Sequence, residues 1–153
     1  MTDITEGSKA PALDLPAGGS GRATLAGPTV LYFYPKADTP GCTSEARDFS
    51  DHAEAFAAAG VTVIGVSKDP VKKLERFKAK YDLKVILASD EAADACETWG
   101  VWVEKSMYGK TYMGIQRATF LIDADGIVRN VWPKVSVKGH AEAVLAATNG
   151  LTG

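Results

Sequence analysis

The chain has 153 residues, 17 basic and 19 acidic side chains and a net charge of −2, a size at which a single domain over residues 1–153 is expected to bury its own core. Its 46% hydrophobic and 24% charged residues exclude a disordered chain, and the near balance of charge gives no general electrostatic reason to bind nucleic acid or an anionic membrane. No stretch approaches the ~18 apolar residues of a membrane span. Residues 1–9 lack a basic-then-apolar leader, and two cysteines, Cys42 and Cys96, are too few for a secreted disulfide framework, so a cytoplasmic setting is expected.

Pro11, Pro16, Gly18, Gly19 and Gly21 surround Ala12-Leu-Asp-Leu15 and predict a short hairpin or extended segment at the edge of the domain. Thr29-Val-Leu-Tyr-Phe-Tyr34 is too short for a helix and is closed by Pro35, the pattern of a buried central strand. Thr39-Pro-Gly-Cys42 opens a helix: Thr is a favoured N-cap, Pro suits the first helical position, and Cys42 then falls at the third. Ala46, Phe49, Ala53 and Phe56 recur at helical spacing up to a cap at Gly60. Val61–Ser67 reads as a β-branched strand, and Asp69-Pro70 starts a helix with Val71, Leu74, Phe77 and Tyr81 on one face. Leu83–Leu87 is the next strand, and Asp90 opens a short helix whose stripe of Ala92, Cys96 and Trp99 makes Cys96 a small buried hydrophobe. Residues 101–116 have no sustained period and read as a long connection. Ala124-Asp-Gly126 between two apolar runs, 117–123 and 127–132, is a hairpin signal, and 139–147 form a last helix. The sum is an α/β fold with a mixed sheet, parallel then antiparallel, flanked by helices.

The segment with chemical content is Tyr34-Pro-Lys-Ala-Asp-Thr-Pro-Gly-Cys-Thr-Ser-Glu45. A helix N-terminus favours the thiolate, the nucleophilic form of cysteine, so Cys42 stands in a reactive setting. Pro35, Thr39 and Cys42 match the Pro-x-x-x-Thr/Ser-x-x-Cys motif of peroxiredoxins, and the segment resembles the bacterioferritin comigratory protein, or peroxiredoxin Q, subfamily. Gly114–Asp123 resembles the strand that carries that family's essential arginine. The resemblance implies a thioredoxin-like fold with an N-terminal hairpin extension, and reduction of hydrogen peroxide and organic hydroperoxides without metal or organic cofactor, in antioxidant defence. It further implies Cys42 as nucleophile passing through a sulfenic acid, with Arg117 holding the thiolate and orienting peroxide. Thr39 is expected to donate a hydrogen bond to peroxide, the Gly41 and Cys42 N–H groups to face the developing charge, Glu45 to position Arg117, and Pro35 to shape the pocket wall. A monomer is implied as well.

Five positions after Cys42, where many relatives carry a resolving cysteine, this chain has Arg47. Cys96 is the only internal candidate for that role. Otherwise an outside thiol, thioredoxin, glutaredoxin or glutathione, must reduce the sulfenic acid. A thioredoxin-type disulfide reductase is the first alternative, but Cys42-Thr-Ser-Glu45 lacks a second thiol. A metal site would draw on Cys42, Cys96, His52 and His140, but their positions show no ligand spacing and the histidines read as surface residues. A non-enzymatic binding module or chaperone would use Trp99, Trp102, Tyr108 and Tyr112 as exposed aromatics. The basic run Lys68–Lys80 reads as a solvated helix face.

Overall fold

A computed structural model describes residues 4–19 and 21–151. An antiparallel hairpin, β1 (Asp14–Pro16) and β2 (Arg22–Thr24), precedes the central strand β3 (Thr29–Phe33), all five residues of which are buried. Helices α1 (Pro40–Asp51) and α2 (Ala53–Ala58) lead to β4 (Thr62–Ser67), α3 (Val71–Lys80) and β5 (Ile86–Ser89). Helix α4 (Ala95–Thr98) is followed by β6 (Trp102–Met107), β7 (Lys110–Ile115), β8 (Ala118–Ile122), β9 (Val128–Trp132) and α5 (His140–Thr148).

The main sheet has the order β5-β4-β3-β8-β9. β3, β4 and β5 run parallel, joined by helical crossovers, and β8 and β9 add antiparallel through the Asp-Gly turn. Alternation along β3 sends Val30 and Tyr32 to one face and Leu31 and Phe33 to the other, so the buried residues divide into two clusters. The first holds Cys42, Ala46, Phe49, Phe56, Leu74, Phe77 and Val144 from α1, α2, α3 and α5. The second holds Leu13, Leu15 and Ala23 of the N-terminal segment with Cys96, Trp99 and Phe120. Gly65 on β4 lies beside Tyr32 in register, and a Cβ there would stand 2.5 Å from Tyr32 Cζ. Only glycine leaves room for the phenol, which stacks on Phe49 at 4.7 Å.

Four expectations need correction. Residues 101–116 are not a connection: Trp102–Met107 and Lys110–Ile115 pair antiparallel around Tyr108-Gly109, both at positive φ. The helix expected up to Gly60 breaks at His52, whose backbone N–H bonds to Phe49 O and whose Nδ1 donates to Asp48 O, tightening the turn and occupying a carbonyl the helix would use. The strand expected at 83–87 is at 86–89, because Leu83 and Val85 leave the ladder to pack under α3. The helix expected from Asp90 starts at Ala95, leaving Ala92 exposed. Asp90 still nucleates it, its carboxylate accepting the Ala95 and Cys96 N–H groups at 2.9 Å each.

Two surface expectations also fail. Trp99 is fully buried against Phe33 and Phe120. His140 is 7% exposed, shares a 2.8 Å hydrogen bond with Thr119 and meets Phe49 and Trp132 edge-on. The Lys68–Lys80 run is only partly solvated: Lys68 pairs with buried Asp90 and with Glu97, and lies over Trp102. No helix among the described residues is long and apolar enough to cross a membrane.

Candidate active site

The site forms where β3 ends and α1 begins. Pro35, Lys36 and Asp38 are exposed, while Ala37 is buried and fixes the loop from beneath, its N–H donating to Asp69 Oδ2 at 2.7 Å. Asp38, at φ 62, accepts hydrogen bonds from Lys80 Nζ at 2.9 Å and Tyr81 Oη at 2.7 Å. The loop is thus pinned to both ends of α3, which sets where α1 starts.

Pro40 occupies the first helical position and Cys42 the third, as the cap pattern predicts. Cys42 is 2% exposed and its Sγ accepts a hydrogen bond from Arg117 Nη2 at 3.2 Å. The other guanidinium nitrogen, Nη1, donates to Glu45 Oε1 at 2.6 Å. Arg117 stands between β7 and β8, 75 residues from Cys42 in sequence, and the antiparallel pairing of β8 on β3 brings its start beside the end of β3. Glu45, one helical turn after Cys42, shares the face of α1 that meets the arginine. Gly41 admits the guanidinium closely: a Cβ on it would lie 3.3 Å from Arg117 Nη2.

The electrostatics follow from burial. Glu45 has 1% of its side chain exposed, and desolvation pushes its carboxyl up to about 7 although Arg117 pulls the other way. Its Oε2 is buried without a hydrogen-bond partner, as are the hydroxyls of Tyr32 and Tyr34 on the same side of the sheet. Those phenols are held above the usual tyrosine range, Tyr32 first by burial and then by Tyr34 and Glu45, Tyr34 first by burial. Arg117 is raised further above its already high range: burial opposes the charge, but Glu45 and Cys42 outweigh it. It stays a cation at any working pH.

The Thr39 hydroxyl makes no cap to the helix and donates to Lys36 O at 2.8 Å, which leaves its lone pairs to accept. Cys96 is not near Cys42. It is fully buried in the cluster on the opposite face, with the five-stranded sheet between the two thiols, and both cysteines are free. Burial, then the Asp90 carboxylate, holds the Cys96 thiol well above the usual range. Lys105 escaped the sequence reading. Its half-buried ammonium is lowered by desolvation and by Arg117, while the charge of Cys42 raises it. A cleft of about 730 Å³ around Arg22, Lys72 and Arg76 includes none of these residues.

A buried thiol in the first turn of a helix, with a permanent cation on its sulfur, is an arrangement suited to a nucleophilic cysteine. The model of the AhpC/TSA family matches residues 7–131. The chain belongs to that family. It is 44% identical over 149 residues to peroxiredoxin Bcp of Escherichia coli K12, covering 95% of this chain and 96% of the relative. To peroxiredoxin Bcp of Xanthomonas campestris it is 44% identical over 153 residues, covering 96% of each. Among solved structures, Xanthomonas campestris peroxiredoxin Q superposes with a TM-score of 0.84 at 44% identity, covering 90% of each chain. A cysteine-to-serine variant of Xylella fastidiosa PrxQ gives 0.92 at 35%, covering 100% of each. The fold is the thioredoxin-like fold of these peroxiredoxins, and the protein is a thiol-dependent peroxidase that reduces peroxides with electrons from a thiol.

Proposed function

We propose that Cys42 is the peroxidatic nucleophile and that the cycle needs no second cysteine of the chain. The observation that carries the reading is the Arg117 guanidinium, shared between Cys42 Sγ at 3.2 Å and Glu45 Oε1 at 2.6 Å. The Cys42 thiolate attacks one peroxide oxygen, forming an S–O bond as the O–O bond breaks, and the other oxygen leaves as alkoxide or hydroxide and takes a proton from solvent. Arg117 orients the attacked oxygen and shares the charge that moves off sulfur, and Glu45 fixes the arginine. Thr39 accepts the peroxide O–H, the free N–H groups of Gly41 and Cys42 at the helix start face the developing charge, and exposed Pro35 forms the rim.

The sulfenic acid is then reduced from outside. Bringing Cys96 within the ~7 Å that a disulfide requires would mean crossing the sheet, not merely unwinding a turn. Cys96 is therefore read as a packing residue, and thioredoxin, glutaredoxin or glutathione as the source of the attacking thiol. Hydrogen peroxide and organic hydroperoxides are both taken as substrates, by a monomer of one domain in a reducing cytoplasm, where two unbridged cysteines persist. The test is intact mass and non-reducing peptide mapping after one equivalent of peroxide. One added oxygen on Cys42, in wild type and Cys96→Ala alike, supports the one-cysteine cycle. A two-hydrogen loss with linked Cys42 and Cys96 peptides refutes it.

A further inference from the structure

The cleft of about 730 Å³ between the β1–β2 hairpin and the start of α3 contains none of the groups gathered at Cys42. Its volume lies within the range of about 300–1,000 Å³ typical of small-molecule sites. Four cations line it, Arg22 from β2 and Lys72, Lys73 and Arg76 from α3, against two carboxylates, Asp14 and Glu91. The lining therefore carries two surplus positive charges in a chain whose net charge is −2.

Two of the cations are held in place. Arg22 donates through Nε to Asp14 Oδ1 and through Nη2 to Asp14 O, which occupies two of its five N–H groups. Lys73 Nζ stands 3.1 Å from Asp69 Oδ1, a carboxylate that the Ala37 N–H and the Ser67 hydroxyl anchor through Oδ2. Both side chains keep donors for a ligand. Lys72 and Arg76 are exposed and have no ion-pair or hydrogen-bond partner among the described residues. They stand one helical turn apart, a spacing at which like charges repel. Lys72 and Lys73 also occupy the first turn of α3, which holds no acidic residue and where the helix field disfavours cations. An anion seated among the four turns both costs into attraction.

We propose that this cleft binds a small polyphosphate, free or carried on an organic body, separately from the peroxide site. The guanidinium forks of Arg22 and Arg76 match phosphate oxygens, the two ammoniums add point charges, and the surplus of two positive charges calls for a ligand with at least two negative ones. Pro16, Pro70 and Ala92 supply an apolar wall for a body attached to the phosphates.

The test is calorimetric titration of the whole protein with tripolyphosphate and with ATP at low ionic strength, where exposed charges are least screened. Both bind wild type, and the double variant Lys72→Gln/Arg76→Gln raises each Kd about tenfold or more, the scale of a lost charge-assisted contact. Lys78→Gln/Lys84→Gln removes the same charge outside this cleft and leaves each Kd within twofold. Tighter binding of ATP than of tripolyphosphate supports an organic phosphate resting on the apolar wall, and equal binding supports the free polyphosphate. Urea unfolding separates binding from folding: without anion the Lys72→Gln/Arg76→Gln midpoint equals or exceeds that of wild type, because a repulsion has gone, and tripolyphosphate raises the wild-type midpoint alone. No binding of either probe at about 1 mM, or an equal loss in both double variants, overturns the inference and leaves the peroxidase reading untouched.

Discussion

Replacing Arg117 by Met keeps most of the side-chain length and removes two charge-assisted hydrogen bonds, the 3.2 Å bond to Cys42 Sγ and the 2.6 Å bond to Glu45. Losing a preorganised donor at the reacting centre costs about 3 kcal/mol of barrier, or about 150-fold in the second-order rate constant with peroxide. A second consequence concerns stability. Glu45 is 1% exposed, and Arg117 is what restrains its rise to about 7, so without the arginine its carboxyl climbs further. A carboxyl that is higher in the folded than in the unfolded chain keeps a proton the unfolded chain has released, so stability falls as pH rises from the ordinary value of 4.5. Arg117→Met therefore loses more stability at pH 8, where an orphaned buried charge approaches the about 3–5 kcal/mol of a broken buried pair, than at pH 5.5. Adding Glu45→Gln removes the titrating group and restores stability without restoring rate. Stopped-flow peroxide consumption and urea unfolding at the two pH values read these quantities. A rate constant within threefold of wild type, or recovery of rate in the double variant, refutes the reasoning.

Further outcomes are expected at other positions. Cys42→Ser abolishes peroxide consumption, whereas Cys96→Ala keeps turnover with glutathione and loses about 1–2 kcal/mol to the cavity left in the second cluster, read by urea unfolding. Gly65→Ala drives a Cβ to within 2.5 Å of the Tyr32 ring and costs about 1–3 kcal/mol in the same assay, with disturbed near-ultraviolet dichroism from the Tyr32–Phe49 stack. Gly41→Ala displaces the Arg117 guanidinium from its 3.3 Å approach and slows peroxide reduction severalfold, while the unfolding midpoint holds or rises because Ala favours the helix. His140, lowered by burial to about 4, stays neutral in the fold while the unfolded chain protonates near 6.5, so stability drops as pH falls through that window and His140→Gln flattens the drop.

Much of the architecture could be read because local rules and tertiary demand agree at those positions. Thr39-Pro40 fixes where α1 begins, Asp125-Gly126 fixes the β8–β9 turn, and β3 and β4 are apolar because both faces of the sheet are covered. The β6–β7 hairpin was illegible because most of its residues face water, so no apolar alternation marks it. Its turn, Tyr108-Gly109, also places a bulky residue at φ 53, where the usual signal is Asn or Asp. The break at His52 was hidden for another reason: the Ala53 to Phe56 spacing continues the period of α1, and the interruption comes from one ring taking the Asp48 carbonyl. At the site, Cys42, Arg117 and Glu45 were named from a motif and a strand, and the fold supplies what neither contains, a shared guanidinium.

The two cysteines show how completely position overrides residue type. Both are almost fully buried in helical first turns, and from burial alone each is a small hydrophobe. Cys42 lies in the first turn of α1 with a guanidinium Nη2 on its sulfur, so its buried surroundings carry positive charge. Cys96 has the Asp90 carboxylate beside it, whose two oxygens already take the Ala95 and Cys96 N–H groups, so the same burial adds to a repulsion and keeps the proton on sulfur. The sheet between them is five strands of paired backbone, and a disulfide across it would require opening the β3–β8 core rather than fraying a helix end. On the proposed one-cysteine cycle, a second thiol behind that wall serves packing with Trp99 and Phe120, and the reducing thiol arrives from solvent.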